Sequence, residues 1–169
     1  GQVPTYNGDD LTDGTNVNVD LSSGSFTTLN IIFYNAATGQ NLTITHDLKT
    51  GTSNNLTVNP ANANYLKVTG ASTTMTAGTN NELTITAYDQ YGNTATPYAG
   101  AKNLTFSGLA NAPNSTVPTV EGTNFGTATS INFTNGVSNA NAATLIAYKA
   151  ESASVDVTDG TINSTGNAS

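Results

Sequence analysis

Between positions 82 and 88 the chain reads Glu-Leu-Thr-Ile-Thr-Ala-Tyr, so Leu83, Ile85 and Ala87 alternate with Thr84, Thr86 and Tyr88. A period of two sends every second side chain to one face of an extended strand, which buries one face and wets the other. Turn chemistry bounds this stretch on both sides. Ala77-Gly78-Thr79-Asn80-Asn81 precedes it and Asp89-Gln90-Tyr91-Gly92-Asn93 follows it. Gly and Asn tolerate positive φ, and Asp bonds its own backbone.

The same alternation recurs along the chain. It predicts strands over 15–20, 26–34, 40–46, 56–58, 65–68, 82–89, 102–107, 127–134, 143–148 and 154–158. The run 26–34 is the most apolar and reads as a central strand. Residues 1–14, 47–54 and 108–118 read as loops, and 159–169 as a polar tail. No stretch carries the period of a helix longer than a turn. Short strands with turn signals between them indicate an all-β, antiparallel sandwich. The inward positions should be Leu29, Ile31, Phe33, Leu83, Ile85, Leu104, Phe106, Ile131, Phe133, Leu145, Val155 and Val157.

Taken with Asn59-Pro60-Ala61 upstream and Tyr98-Ala99-Gly100 downstream, the stretch 77–93 resembles the tandem immunoglobulin-like repeats of very large bacterial and archaeal surface proteins. The resemblance implies immunoglobulin-like β-sandwich repeats. It also implies an extracellular or cell-surface location, and a structural or adhesive role without catalysis. Its partners would be adjacent repeats or neighbouring copies of the same protein.

The chain also resembles itself. The displacement of 114 residues that carries Pro4 onto Pro118 sets Gly8 on Gly122, Val17 on Ile131, Val19 on Phe133, Ile31 on Leu145 and Tyr34 on Tyr148, without a gap as far as Ala36 and Ala150. With one position deleted, Leu42 then falls on Val155 and Ile44 on Val157. Apolar positions match on both faces, the mark of an internal repeat. Residues 1–58 then form the C-terminal half of one repeat. Residues 59–169 form a second repeat that stops before the strand Leu56-Thr57-Val58 of the first. A sandwich short of a strand presents an open edge, so a strand from a neighbouring copy is expected to complete it.

Charge narrows the partners. The net charge is −7, with only four lysines and no arginine. Nucleic-acid binding and anionic membranes need a cationic surface, and both are excluded. An acidic surface instead suits solubility and divalent cations. Charged residues are 9% of the chain, and the apolar alternation separates it from a disordered, highly charged chain. There is no cysteine, hence no disulfide and no thiolate metal site. No apolar run approaches the roughly 20 residues of a membrane-spanning helix. No signal-peptide pattern opens the chain, as expected of a mature or excised stretch. Asn-x-Ser/Thr sequons at Asn41, Asn55, Asn103, Asn114, Asn132, Asn163 and Asn167 are candidate glycosylation sites, although such triplets also arise by chance in a chain this rich in Asn, Ser and Thr.

Asp9, Asp10 and Asp13 form the candidate calcium site. Three carboxylates within five residues, flanked by Gly8 and Gly14, offer the clustered oxygens that a hard cation needs. The competing reading is a solvated acidic loop. Asp89 reads mainly as a turn cap, with calcium at a domain junction as the alternative. Catalytic constellations are not visible. His46 stands alone at a strand end, and Glu82, Glu121 and Glu151 are unpaired in sequence, whereas nucleophilic and glycosidic catalysis need convergent groups. Lys67 and Glu82 are candidate neighbours for a lysine isopeptide cross-link. The seven tyrosines, without any tryptophan, suggest packing more than sugar stacking. Two further readings stay open: a surface-layer or filament subunit assembled by strand exchange, and a non-catalytic carbohydrate-binding or spacer module of a secreted polysaccharide-degrading enzyme. Surface glycans would be partners in the latter case.

Overall fold

The alternating stretch around Ile85 forms the longest strand among the described residues, Asn80–Tyr88, with Asn81, Leu83, Ile85 and Ala87 buried and the residues between them more exposed. The structure is a computed structural model that describes residues 2–12, 24 and 30–165. The chain divides into two compact units, Gly1–Pro60 and Ala61–Ser169. Among the described residues every regular element is a strand, and every pairing is antiparallel. Unit 1 carries β1 (Thr5–Tyr6), β2 (Asp9–Asp10), β3 (Ile31–Ile32), β4 (Ala37–Gln40), β5 (Thr43–His46), β6 (Lys49–Thr52) and β7 (Leu56–Val58). Unit 2 carries β8 (Tyr65–Gly70), β9 (Asn80–Tyr88), β10 (Gly100–Ser107), β11 (Thr119–Val120), β12 (Thr123–Asn124), β13 (Ala128–Thr134), β14 (Val137–Ser138), β15 (Thr144–Ile146) and β16 (Asp156–Thr158).

In unit 2, β9 is the shared strand. Along one edge it pairs with β8, from Tyr65 opposite Tyr88 to Gly70 opposite Leu83. Its other edge splits. The N-terminal part pairs with β15, which continues to β11 and β12. The C-terminal part meets β14 at Thr86 and Val137, and β13, β10 and β16 follow in order. Both branches enclose one apolar core, drawn from Leu66, Leu83, Ile85, Ala87, Leu104, Phe106, Val120, Ile131, Phe133, Leu145 and Val157, with Ala95, Tyr98 and Ala143 from the connections. This is a sandwich-like, all-β arrangement, and the alternation of β9, β10 and β13 builds it. Val155 packs against this core from its rim.

Unit 1 differs from the reading of its sequence. Of the run 26–34, expected as a central strand, residues 26–29 lie outside the described residues; the described part, 30–34, contains the two residues of β3, with Ile31 and Phe33 only half-buried. Leu29 and the strand expected over 15–20 lie outside the described residues. In unit 2 the position equivalent to Ile31 is Leu145, 3% exposed, on a strand that pairs with β9 and faces the packed core. Among the described residues of unit 1 no strand plays the part of β9. The loop expected over 47–54 contains β6, paired with β5 as a hairpin around Asp47 at φ 55°.

The internal repeat is visible in backbone register. Thr5 opposite Asp10 and Tyr6 opposite Asp9 become, 114 residues on, Thr119 opposite Asn124 and Val120 opposite Thr123. Thr5 opposite Ile32 and Tyr6 opposite Ile31 become Thr119 opposite Ile146 and Val120 opposite Leu145. The turn residues match too: Asn7 and Glu121 both have φ 51°, and Gly8 and Gly122 are both left-handed. The Leu11 N–H donates to the Pro4 carbonyl at 2.7 Å, and the Phe125 N–H to the Pro118 carbonyl at 2.9 Å. After the one-residue deletion, Thr45 opposite Thr50 becomes Thr158 opposite Asn163. Residues 160–164, within the stretch expected as a polar tail, turn back on β16: the Ser164 N–H donates to the Val157 carbonyl, and Ser164 is 2% exposed.

Candidate interaction site

Several polar side chains held inside unit 2 are spent on the backbone. Asp89 is fully buried at the end of β9. Its Oδ1 accepts the N–H groups of Tyr91 and Asn93, both at 2.9 Å. Its Oδ2 accepts the Ala61 N–H at 3.0 Å and the Asn93 side-chain amide at 2.9 Å. Burial alone pushes this carboxyl up, but the four donors outweigh it and hold it below the ordinary aspartate value. With its oxygens taken by N–H donors, Asp89 ties the start of the unit to a turn and does not present them to calcium. Gly92 supplies the left-handed residue of that turn, at φ 84°.

Glu82 accepts the Ala143 N–H at 3.2 Å and the Thr144 hydroxyl at 2.9 Å, joining β9 to β15. Lys67 stands opposite Thr86, four residues up the strand from Glu82, or roughly 13 Å away along the ladder. The pair proposed for an isopeptide cross-link is therefore not brought together. Tyr98 packs edge-on against Phe133, and its hydroxyl donates to Asp159 Oδ2 at 2.8 Å. Burial, then this bond and the carboxylate charge, raise the Tyr98 hydroxyl well above its usual range. Partial burial also pushes Asp159 up. The N–H groups of Ile162 and Thr161, the Tyr98 hydroxyl and the Lys102 charge overcome that and lower it. These bonds fasten the last hairpin to the core, a connection that no local sequence signal announces.

Asp9 and Asp10 lie on β2, both exposed. Neighbours on a strand point to opposite faces, so their carboxylates diverge. Asp13 lies outside the described residues. Among the described residues no three His, Asp or Glu side chains form a metal-ligand group. The sequon residues Asn41, Asn55, Asn103, Asn114, Asn132 and Asn163 are all exposed, and Asn167 lies outside the described residues. His46 is solvent-facing, 3.5 Å from Asp47. Glu121 accepts the Thr144 N–H, and Glu151 the Ala110 N–H, so neither pairs with a second carboxylate. The tyrosines do not form one platform: Tyr6 and Tyr98 are buried, Tyr65 and Tyr88 stack on each other at 5.3 Å, and the rest are dispersed.

Unit 2 holds a cleft of about 590 Å³ between residues 68–77 and 147–155. Val68, Leu83, Leu109, Leu145 and Val155 line its apolar part, and Met75 stands at its mouth. Lys149 and Glu151 pair at its rim, 3.1 Å apart. Such a volume matches a small ligand or a few residues of chain. Sequence reasoning missed the cleft because its walls come from segments about 80 residues apart and carry no motif. Among the described residues no helix is long and apolar enough to cross a membrane. No family model, curated protein or solved structure matches the chain.

Proposed function

We propose that the chain is an extracellular, non-catalytic structural or adhesive module of immunoglobulin-like β-sandwich repeats, displayed on a cell surface or in a fibre. The observation that carries this reading is the recurrence of the same strands, turns and registers 114 residues apart. Repetition along one chain sets reach and spacing, which is what a stalk or fibre supplies. The use of Asp89, Glu82 and Asp159 as backbone fasteners supports a mechanical role. So does the closure of unit 2. The Leu66 N–H on β8 donates to the Asn163 carbonyl at 3.0 Å. Every pairing from β8 through β9, β14, β13, β10 and β16 to Asn163 is antiparallel. Those six reversals leave the first and last segments running the same way, so tension along the chain loads their contact in shear.

Antibodies raised against the chain should label intact, unpermeabilised cells of the source organism. Labelling that appears only after lysis would remove the surface reading.

A further inference from the structure

Three turns among the described residues carry a left-handed residue followed by a left-handed glycine: Asn7-Gly8, Glu121-Gly122 and Asn135-Gly136. Two of them are the same dipeptide in the same setting. Asn7-Gly8 joins β1 to β2 between the paired Tyr6 and Asp9, and Asn135-Gly136 joins β13 to β14 between the paired Thr134 and Val137. The φ angles are 51° and 91° in the first and 50° and 84° in the second. Two-residue hairpins favour Asn-Gly because both positions need positive φ. The dipeptide also carries a reactive pair. The side-chain amide carbon of Asn can close a five-membered ring with the next backbone nitrogen, and glycine, lacking a Cβ, leaves that nitrogen unhindered.

The surroundings of the two turns differ. Gly136 is buried, its N–H donates to the Tyr98 carbonyl at 3.0 Å, and its carbonyl accepts the Ala87 N–H at 2.8 Å. A Cβ at Gly136 would stand 2.8 Å from the Ala95 carbonyl oxygen, so neighbouring backbone encloses the residue. Asn7 and Gly8 are both exposed. Among the described residues the Gly8 backbone has no hydrogen-bond partner, and nothing lies within 4 Å of a Cβ placed there.

We infer that Asn7 is a self-modification site, converted to aspartate and isoaspartate through an imide formed with Gly8, and that the fold protects Asn135 in the same turn. The Gly8 nitrogen attacks Asn7 Cγ. The N–Cγ bond forms, the Cγ–Nδ2 bond breaks, and the Gly8 amide proton leaves with Nδ2 as ammonia. Water then opens the ring. Addition at Cγ restores the ordinary peptide with a side-chain carboxylate. Addition at the main-chain carbonyl carbon leaves a chain that runs through Cβ and Cγ, one methylene longer, with a free α-carboxylate. Ring closure turns the Asn-Gly peptide out of its hairpin orientation, so the rate follows the population of the opened turn. Opening at Gly136 breaks two buried hydrogen bonds, whereas opening at Gly8 disturbs only the short pairing of β1 with β2. Either product sets one more negative charge beside the exposed Asp9 and Asp10. The isoaspartyl form also lengthens the turn, so Tyr6 and Asp9 lose their register. Glu121-Gly122, the counterpart of Asn7-Gly8 in the repeat, has no side-chain amide and does not repeat the reaction. The chemistry needs only water and is independent of where the protein resides.

The test incubates the full chain at mildly alkaline pH in water enriched in heavy oxygen, once folded and once in urea above its unfolding midpoint. Peptide mapping by mass spectrometry follows both sites. In the folded chain Asn7 should deamidate at least about tenfold faster than Asn135, because its turn opens more readily. Its aspartyl and isoaspartyl products should both appear, each carrying heavy oxygen. In urea the two rates should agree within about threefold, since each dipeptide then reacts from an open chain. No reaction at Asn7, or folded rates within about threefold of each other, overturns the inference. A tenfold gap that persists in urea overturns it as well, because flanking sequence and not the fold would then set the rates. An aspartyl product without the isoaspartyl one rules out the imide and overturns the chemistry.

Discussion

Asp89 shows how one side chain fixes a junction between elements. Four N–H donors converge on a fully buried carboxylate, from the start of the unit and from the turn after β9. Asp89→Asn keeps the shape but turns an amide NH₂ against those donors. It should cost about 3 kcal/mol at neutral pH, because bonds to a charged acceptor are worth roughly 1.5–3 kcal/mol and orphaned donors add to the loss. The pH dependence follows from the lowered carboxyl. A folded value below the unfolded one, about 3.9, contributes stability that is present above that pH and lost as pH falls through the folded value. Denaturant titrations of both proteins from pH 7 to 3 should converge in the acid range. A constant gap at all pH values would show that the carboxylate charge is not what Asp89 contributes.

At the scale of elements, the two hairpins β5–β6 and β16–Asn163 form a natural comparison. Their registers coincide, yet Ile44 is 51% exposed and its counterpart Val157 is 1% exposed. The difference arises because Val157, beside Phe106 of the paired β10, faces the packed core of unit 2, whereas Ile44 faces no such core among the described residues. Local sequence makes the hairpin, and the core it faces decides its depth. Val157→Ala should therefore destabilise unit 2 by about 1–3 kcal/mol, from lost burial and the cavity left behind. Ile44→Ala should change stability by less than about 0.5 kcal/mol. Urea unfolding of the two variants checks this, and comparable losses would mean that the inner face of β5 is covered as that of β16 is.

The whole molecule divides unevenly. Fourteen residues form the core of unit 2, whereas Tyr6 is the one buried apolar residue among those described in unit 1. Segments with few buried contacts open locally at low free energy, and proteases cut open states. Limited proteolysis should remove residues 1–60 first and leave a resistant fragment that begins near Ala61. The melting temperature of that fragment should lie within about 4 °C of the main transition of the full chain, the shift expected from roughly 1 kcal/mol or less in a domain of this size. Early cuts within β9 or β13 would contradict this order.

The sequence by itself determined the strand character, the repeat displacement and most of the core of unit 2. Alternation at Leu83 and Ile85, Leu104 and Phe106, Ile131 and Phe133 is local, and it states directly which face is apolar. The 114-residue displacement, read from apolar matches alone, reappears as identical registers of β1 with β11, β2 with β12 and β3 with β15. Only the tertiary structure decided what covers each apolar face. It buried Leu145 and left its counterpart Ile31 half-exposed, folded residues 162–164 onto β16, brought the distant Ala61 N–H onto Asp89, and separated Lys67 from Glu82. The physical reason is that a strand's periodicity specifies the direction of its side chains and nothing about the partner opposite them. Pairing depends on hydrogen bonds and packing between segments far apart in the chain, and no local pattern encodes those.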